Sequence, residues 1–83
     1  MNKVQRNAIA ENLSALLHKL EKCEDRLAVA QEAGDADAVV RCSARLDALS
    51  AEMKGADTVL TTLGYVRKYH GDNERGHYTI EKI

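Results

Sequence analysis

The sequence has no tryptophan, phenylalanine or proline, and its 83 residues include only three tyrosines. The tyrosines, Tyr65, Tyr69 and Tyr78, all lie in the last quarter of the chain. The core must therefore be aliphatic, which suits a helical bundle and argues against a β-sandwich or the cleft of an enzyme. No apolar run approaches the roughly 18 residues that a membrane-spanning helix needs. The first residues also lack the apolar segment of a signal peptide, so we expect a cytoplasmic protein with no membrane partner.

The chain also has little net charge of either sign. Its 12 basic and 13 acidic residues give a formal net charge of −1. No overall electrostatic field therefore draws it onto nucleic acid or an anionic membrane. A chain of this length makes one small domain, residues 1–83, near the size at which a single core is only marginally stable.

Two apolar repeats with the three-and-four spacing of a coiled-coil seam occupy most of the chain. The first contains Ile9, Leu13, Leu16, Leu20, Cys23, Leu27 and Ala30, and the second contains Val39, Cys42, Leu46, Leu49, Met53, Ala56, Leu60 and Leu63. A Gly34-Asp35 pair separates them. Two helices joined by so short a turn must lie side by side and antiparallel.

The register of this hairpin follows from the residue numbers. In an antiparallel hairpin, the numbers of two facing residues must add up to a nearly constant value. Every layer then pairs apolar with apolar: Leu27 with Val39, Cys23 with Cys42, Leu20 with Leu46, Leu16 with Leu49, Leu13 with Met53, and Ile9 with Ala56. The cap residues agree with the pattern. Asn2 and Gln5 predict a capping box at the start of helix 1 (2–33), Gly34 ends it, and Asp35 caps helix 2 (35–63).

Two positions leave alternatives open. Gly55 lies inside helix 2, and a break there would let Asp57 cap a third short helix; we prefer one continuous helix because the repeat keeps its phase. Cys23 and Cys42 share one layer of the seam. We expect reduced core residues in the cytosol, with a structural disulfide as the alternative.

The last twenty residues change character. Residues 64–70 are rich in strand formers, 71–76 are polar and turn-like, and 77–83 alternate, with Tyr78, Ile80 and Lys82 on one face. This pattern predicts a β-hairpin over 64–83. The predicted fold class is thus mostly α, an antiparallel two-helix coiled-coil hairpin followed by a small β-hairpin. A partly disordered tail, or a helix 2 that continues through Tyr69, is the alternative.

Two helices bury only the seam between them, and apolar residues continue beside it. Ala10 and Leu17 flank the seam on helix 1, and Val59 and Val66 flank it on helix 2. Dimerisation into a four-helix bundle would cover them, as would the β-hairpin folding back, and we predict a homodimer. The layout resembles the Rop family, whose short helical hairpins dimerise and bind RNA. The resemblance is one of architecture, and no motif is shared.

The candidate binding residues cluster in the C-terminal segment: Tyr65, Arg67, Lys68, Tyr69, His70, Arg75, His77 and Tyr78. Tyrosine and arginine dominate binding hot spots, because they combine large contact area with directional donors. The competing interpretation is structural. In it, Tyr65, Val66, Tyr78 and Ile80 form a small satellite core surrounded by solvated charges.

No catalytic or metal motif accompanies these residues. His70, Asp72, Glu74 and His77 could be written as a metal site, but their spacing matches no motif that fixes ligands on a rigid element. His18 falls on the exposed side of helix 1, where we expect it to be solvated. No nucleophile–base arrangement or phosphate-binding loop is present. We therefore predict neither an enzyme nor a cofactor.

The sequence favours a small non-enzymatic module that binds a protein partner through the C-terminal segment. An inhibitor or adaptor of the kind encoded by mobile elements such as phages fits this description. The alternative ligand is RNA or an anionic nucleotide, which tyrosine stacking and nearby basic residues would support. A purely structural oligomerisation element is the third hypothesis.

Overall fold

The structure, a computed structural model, describes residues 1–71 and 76–83 as two helices followed by a two-stranded antiparallel sheet. The helices are α1 (Lys3–Ala33) and α2 (Ala36–Thr62), and the strands are β1 (Tyr65–His70) and β2 (His77–Lys82). The helices pack against each other and the β-hairpin follows them, which confirms the predicted fold class. Neither helix contains a stretch that is long and apolar enough to cross a membrane.

Local capping chemistry fixes the helical hairpin, as the sequence predicts. Asn2 accepts from the backbone N–H of Gln5 at 2.9 Å, and the Gln5 side chain accepts from the backbone N–H of Asn2 at 3.0 Å. Gly34 takes the left-handed conformation at φ 67°. The N–H of Asp35 then donates to the carbonyl of Ala30 at 3.0 Å, the long bond of a Schellman motif. Asp35 also caps α2, so the turn satisfies both helix ends.

Helix α2 runs through Gly55 without a break, as predicted. It ends at Thr62, and Gly64 reverses the chain in the left-handed conformation at φ 86°. Tyr65 follows and packs against the core. The chain thus passes from α2 into β1 through two residues, Leu63 and Gly64.

The large side chains of the seam are buried where a third layer covers them, whereas near the turn only the small side chains of Cys23 and Ala30 are buried. The buried hydrophobic residues are Leu13, Leu16, Cys23, Ala30, Leu49, Met53, Leu60, Tyr78 and Ile80. Nearer the turn between the helices, the seam residues Leu20, Leu27, Val39 and Leu46 are half-buried. The β-hairpin lies over the other half of the helices, and Tyr78 and Ile80 join the same core cluster as Leu13 and Leu60.

Leu63 does not belong to the seam, contrary to the sequence prediction. Its side chain is 59% exposed. The constant register of the hairpin would pair Leu63 with the first residues of α1, where no apolar seam residue exists. Leu63 instead lines a shallow groove with Met1 and Ile9.

The cysteines are both free. Cys23 is buried and its thiol donates to the backbone carbonyl of Cys42 at 3.4 Å, while Cys42 is half-buried. The structure therefore corresponds to the reduced core residues that we preferred over a disulfide.

Strand β2 is bonded edge-on to α1. The backbone N–H of Tyr78 donates to the Ser14 hydroxyl at 2.9 Å, and that hydroxyl donates to the Ala10 carbonyl at 2.7 Å. One turn further along α1, Nε2 of His18 lies 2.8 Å from the carbonyl oxygen of Gly76. The prediction that His18 is merely solvated was wrong, because the β-hairpin crosses the face of α1 on which it lies.

We expect Ser14→Ala to lower the free energy of unfolding by about 1–2 kcal/mol, because the N–H of Tyr78 would lose its partner next to the core. Ser50→Ala is the matched control, since Ser50 is an exposed helical serine. Chemical denaturation followed by helical circular dichroism measures both variants. Equal stability of the two variants would show that the bridge from α1 to β2 contributes nothing.

Candidate functional site

The register of the β-hairpin sorts the candidate residues onto two faces. Tyr65, Arg67 and Tyr69 lie opposite Lys82, Ile80 and Tyr78, and these six residues share the face turned toward the helices. Val66, Lys68 and His70 lie opposite Glu81, Thr79 and His77, and these six residues share the outward face. Arg75, Asp72 and Glu74 lie outside the described residues. The predicted cluster is therefore divided between two environments.

Arg67 is bound to the helices. Its Nε and Nη2 donate to the two carboxylate oxygens of Asp57 at 2.8 and 2.7 Å, a bidentate pair between β1 and α2. Its guanidinium carbon lies 4.5 Å from the ring centroid of Tyr78, a cation–π distance. The hydrogen bonds to Asp57 raise the pKa of Arg67 above its usual value, against the opposite effect of partial burial. These contacts give Arg67 a structural role.

Tyr65 and Tyr78 are also engaged within the chain. Tyr78 is buried in the core cluster with Ile80, and Tyr65 packs against that cluster. The Tyr65 hydroxyl donates to the carbonyl of Met1 at 3.1 Å and so ties β1 to the start of α1. The satellite-core interpretation thus describes these three residues, whereas Val66, the fourth, is 46% exposed on the outward face.

Tyr69 occupies the end of the inner face, beyond the edge of the helices, and is 59% exposed. Its ring meets that of Tyr78 edge-on, with centroids 5.9 Å apart. A Cβ atom added to Gly71 or Gly76 would fall 2.3 or 2.6 Å from the Tyr69 hydroxyl. Both glycines, which directly flank the paired ends of the two strands, therefore leave the space that the Tyr69 ring occupies.

The outward face carries polar side chains, of which Lys68, His77 and Glu81 are exposed while His70 and Thr79 are half-buried. Lys68 lies 3.8 Å from a carboxylate oxygen of Glu81, a weak and exposed ion pair. The rings of His70 and His77 stack with centroids 5.2 Å apart. Nε2 of His70 lies 2.8 Å from the Thr79 hydroxyl. Among residues 1–71 and 76–83, no three His, Cys, Asp or Glu side chains are grouped to hold a metal ion.

The two outer edges of the sheet differ. Because the N–H of Tyr78 donates to Ser14, it points away from β1, and the opposite residue Tyr69 must also direct its backbone groups outward. The alternation of the ladder gives Arg67 the same orientation. Helix α1 covers the edge of β2 through Ser14 and His18. No bond in the described part of the chain reaches the outward backbone groups of Arg67 and Tyr69.

A second exposed feature lies where the chain ends meet the end of α2. Ile83 donates its backbone N–H to the carbonyl of Gly64 at 3.0 Å, which brings the C-terminus beside the reversal after α2. Most exposed large apolar residues belong to the segments that meet there. They are Met1, Val4, Val59, Leu63, Val66 and Ile83, which we call the open-end surface. An apolar surface of this kind marks an interaction site more often than a random scatter does.

Three residues position the β-hairpin in a way that the sequence did not predict. Asp57 holds Arg67, and Ser14 and His18 hold β2. All three are polar residues on helix faces that, in an isolated helical hairpin, would meet only water. Their one signal was position, since Ser14 and His18 are four residues apart on one face of α1.

A double-mutant cycle with Arg67→Ala and Asp57→Ala should give a coupling energy of about 1 kcal/mol, because the pair is bidentate and partly buried. The matched control is the same cycle on Lys68 and Glu81, where the longer, exposed pair should couple by about 0.3 kcal/mol or less. Urea denaturation of the native chain and the six variants measures both cycles. A larger coupling for Lys68 and Glu81 would contradict the structural role assigned to Arg67.

Comparison with known proteins identifies no relative of this chain. No protein-family model, no curated protein and no solved structure matches the chain. Function must therefore be inferred from the residues themselves, and above all from the surfaces that intramolecular contacts leave free.

Proposed function

We propose that this chain is a small non-enzymatic module that binds a protein partner along the free edge of β1. The single observation that carries the proposal is the difference between the two sheet edges: α1 covers β2, while the outward backbone groups of Arg67 and Tyr69 have no bond within the described chain. An exposed strand edge binds an extended segment by adding it to the sheet. Backbone bonds then supply affinity, and neighbouring side chains supply selectivity.

The side chains along β1 define the partner. Val66 and Tyr69 offer exposed apolar and aromatic area, and Lys68 adds a solvent-exposed positive charge. If β1 of a second copy paired antiparallel with this edge and the strands were centred on each other, Arg67 would face Arg67 or Lys68 would face Lys68. Like charges directly opposite each other destabilise a strand pair. The edge therefore favours an extended segment of another protein that carries acidic side chains.

RNA or an anionic nucleotide, the alternative ligand, has less support from the geometry. Of the residues that would stack or pair with it, Tyr78 is buried and the guanidinium of Arg67 is bound to Asp57. That the chain acts as an inhibitor or adaptor of the kind encoded by phages remains a proposal. So does a cytoplasmic location, with which two free cysteines agree.

A methyl group on the backbone nitrogen of Tyr69 should abolish partner binding, because it blocks the outward edge and leaves the β1–β2 ladder intact. The chain permits this change, since ligation at Cys42 joins a synthetic segment 42–83 to residues 1–41. Capture from extracts of the source cells, quantified by mass spectrometry, compares the methylated chain with a ligated, unmethylated control. We expect a protein retained by the control to fall at least about ten-fold, a change of 1.4 kcal/mol.

Proton NMR of both ligated chains establishes that the β-hairpin is intact, through the contacts between Tyr69 and Tyr78. A partner retained equally by both chains would place binding elsewhere. Loss of capture on raising the salt concentration, together with nucleic acid in the captured material, would favour the RNA alternative instead.

We further propose that the chain forms a homodimer through the open-end surface. Val4 and Leu63 are 77% and 59% exposed there. Burying each such side chain contributes about 1.5–3 kcal/mol. For a domain this small, that contribution is large compared with the total stability.

The double variant Val4→Ser, Leu63→Ser should shift a dimer of the native chain to monomer, because it removes two central apolar contacts of the open-end surface. Val29→Ser with Val40→Ser is the matched control, since these valines are equally exposed near the turn between the helices. Light scattering over a concentration series measures all three proteins. A native chain that stays monomeric, or a control that also dissociates, would overturn the proposed interface.

A further inference from the structure

The pair of histidines on the outward face has a geometry that the sequence could not supply. His70 and His77 lie directly opposite each other as the last pair of the β1–β2 ladder. Their rings are nearly parallel, 19° apart, and their centroids are separated by 5.2 Å. From the sequence, we argued against a metal site because no rigid element held the histidines. The β1–β2 ladder is such an element. His77 also lines a groove against α1, together with Ser14 and His18.

The distance between the rings fits shared coordination of one ion. Two imidazoles that bind a tetrahedral ion through nitrogens about 2.1 Å away have ring centres about 5 Å apart. The observed separation of 5.2 Å therefore needs only rotation about the side-chain bonds, without movement of the strands. Directly opposite strand positions keep the two Cβ atoms close enough for this.

A second residue fixes the orientation of one ring. Nε2 of His70 lies 2.8 Å from the Thr79 hydroxyl, which donates toward a carboxylate oxygen of Glu81 at 3.5 Å. In the tautomer in which Nε2–H donates to this hydroxyl, the lone pair of His70 lies on Nδ1. Ligating histidines in metal sites are held in this way through their second nitrogen. Lys68 lies on the same face, with its ammonium drawn to Glu81 at 3.8 Å.

We infer that His70 and His77 form a two-imidazole site for a divalent transition-metal ion of the Zn²⁺ class, oriented by Thr79. Neutral imidazole suits Zn²⁺, Ni²⁺ and Cu²⁺ and does not suit Mg²⁺, which takes oxygen ligands. The bound ion joins the two strands at the end of the β-hairpin that is furthest from its helix connection. This inference is independent of the proposed partner-binding edge.

Titration of the full-length chain with ZnCl₂ tests the site, in a Cys42→Ser background that removes the half-exposed thiol. We expect one ion per chain, with the imidazole NMR signals of His70 and His77 shifting together and those of His18 unchanged. His70→Gln and His77→Gln should each weaken binding at least about ten-fold, and Thr79→Val by a similar factor. His18→Gln is the matched control and should leave affinity unchanged, because Nε2 of His18 is already engaged with the Gly76 carbonyl.

Several results would overturn the inference. They are Zn²⁺ affinity that survives loss of either histidine, equal competition by Mg²⁺, one ion per two chains, or no shift of the two imidazole signals in the native chain. The last measurement does not depend on any variant being folded. Helical circular dichroism of each variant shows whether a loss of binding reflects a loss of structure.

Discussion

Two helices can bury only the stripe along which they touch, and this limit shapes the whole molecule. Without tryptophan, phenylalanine or a third helix, the seam alone buries the small side chains of Cys23 and Ala30 near the turn but leaves larger ones such as Leu20 half-buried. Large side chains such as Leu13 and Leu60 are buried where Tyr78 and Ile80 of the β-hairpin cover the seam. The β-hairpin is therefore part of the core of the protein.

The β-hairpin depends on the helices in return. A two-stranded sheet is marginal in water, so its position must come from contacts outside the ladder. The Ser14 hydroxyl and the His18 ring satisfy the edge of β2, and Asp57 holds Arg67 beneath β1. These polar contacts set the orientation of the sheet, while apolar burial supplies the stability. The same contacts decide which groups stay available for a partner, because each one occupies a group that would otherwise bind from solution.

The helical hairpin was predictable from the sequence because its information is local. A capping box at Asn2, a left-handed Gly34 and a constant register along the seam all point to one turn. The candidate site was less predictable. The sequence located Arg67, Tyr69 and Tyr78 correctly in one segment, but it could not divide them between a buried and an exposed environment. That division depends on which face of the strand meets α1 and α2, and the deciding contacts join residues far apart in the sequence.

The free edge of β1 and the histidine pair both result from this asymmetric attachment. If the sheet lay symmetrically on the helices, polar residues of α2 would cover β1 as Ser14 covers β2. Instead α2 reaches β1 through the side chain of Arg67, which leaves the backbone of that residue outward and unbonded within the described chain. The outward face carries the stacked rings of His70 and His77 at the last pair of the ladder. The helices hold the β-hairpin through the edge of β2 and through its inner face. The edge of β1 and the outward face are thereby held in a defined geometry.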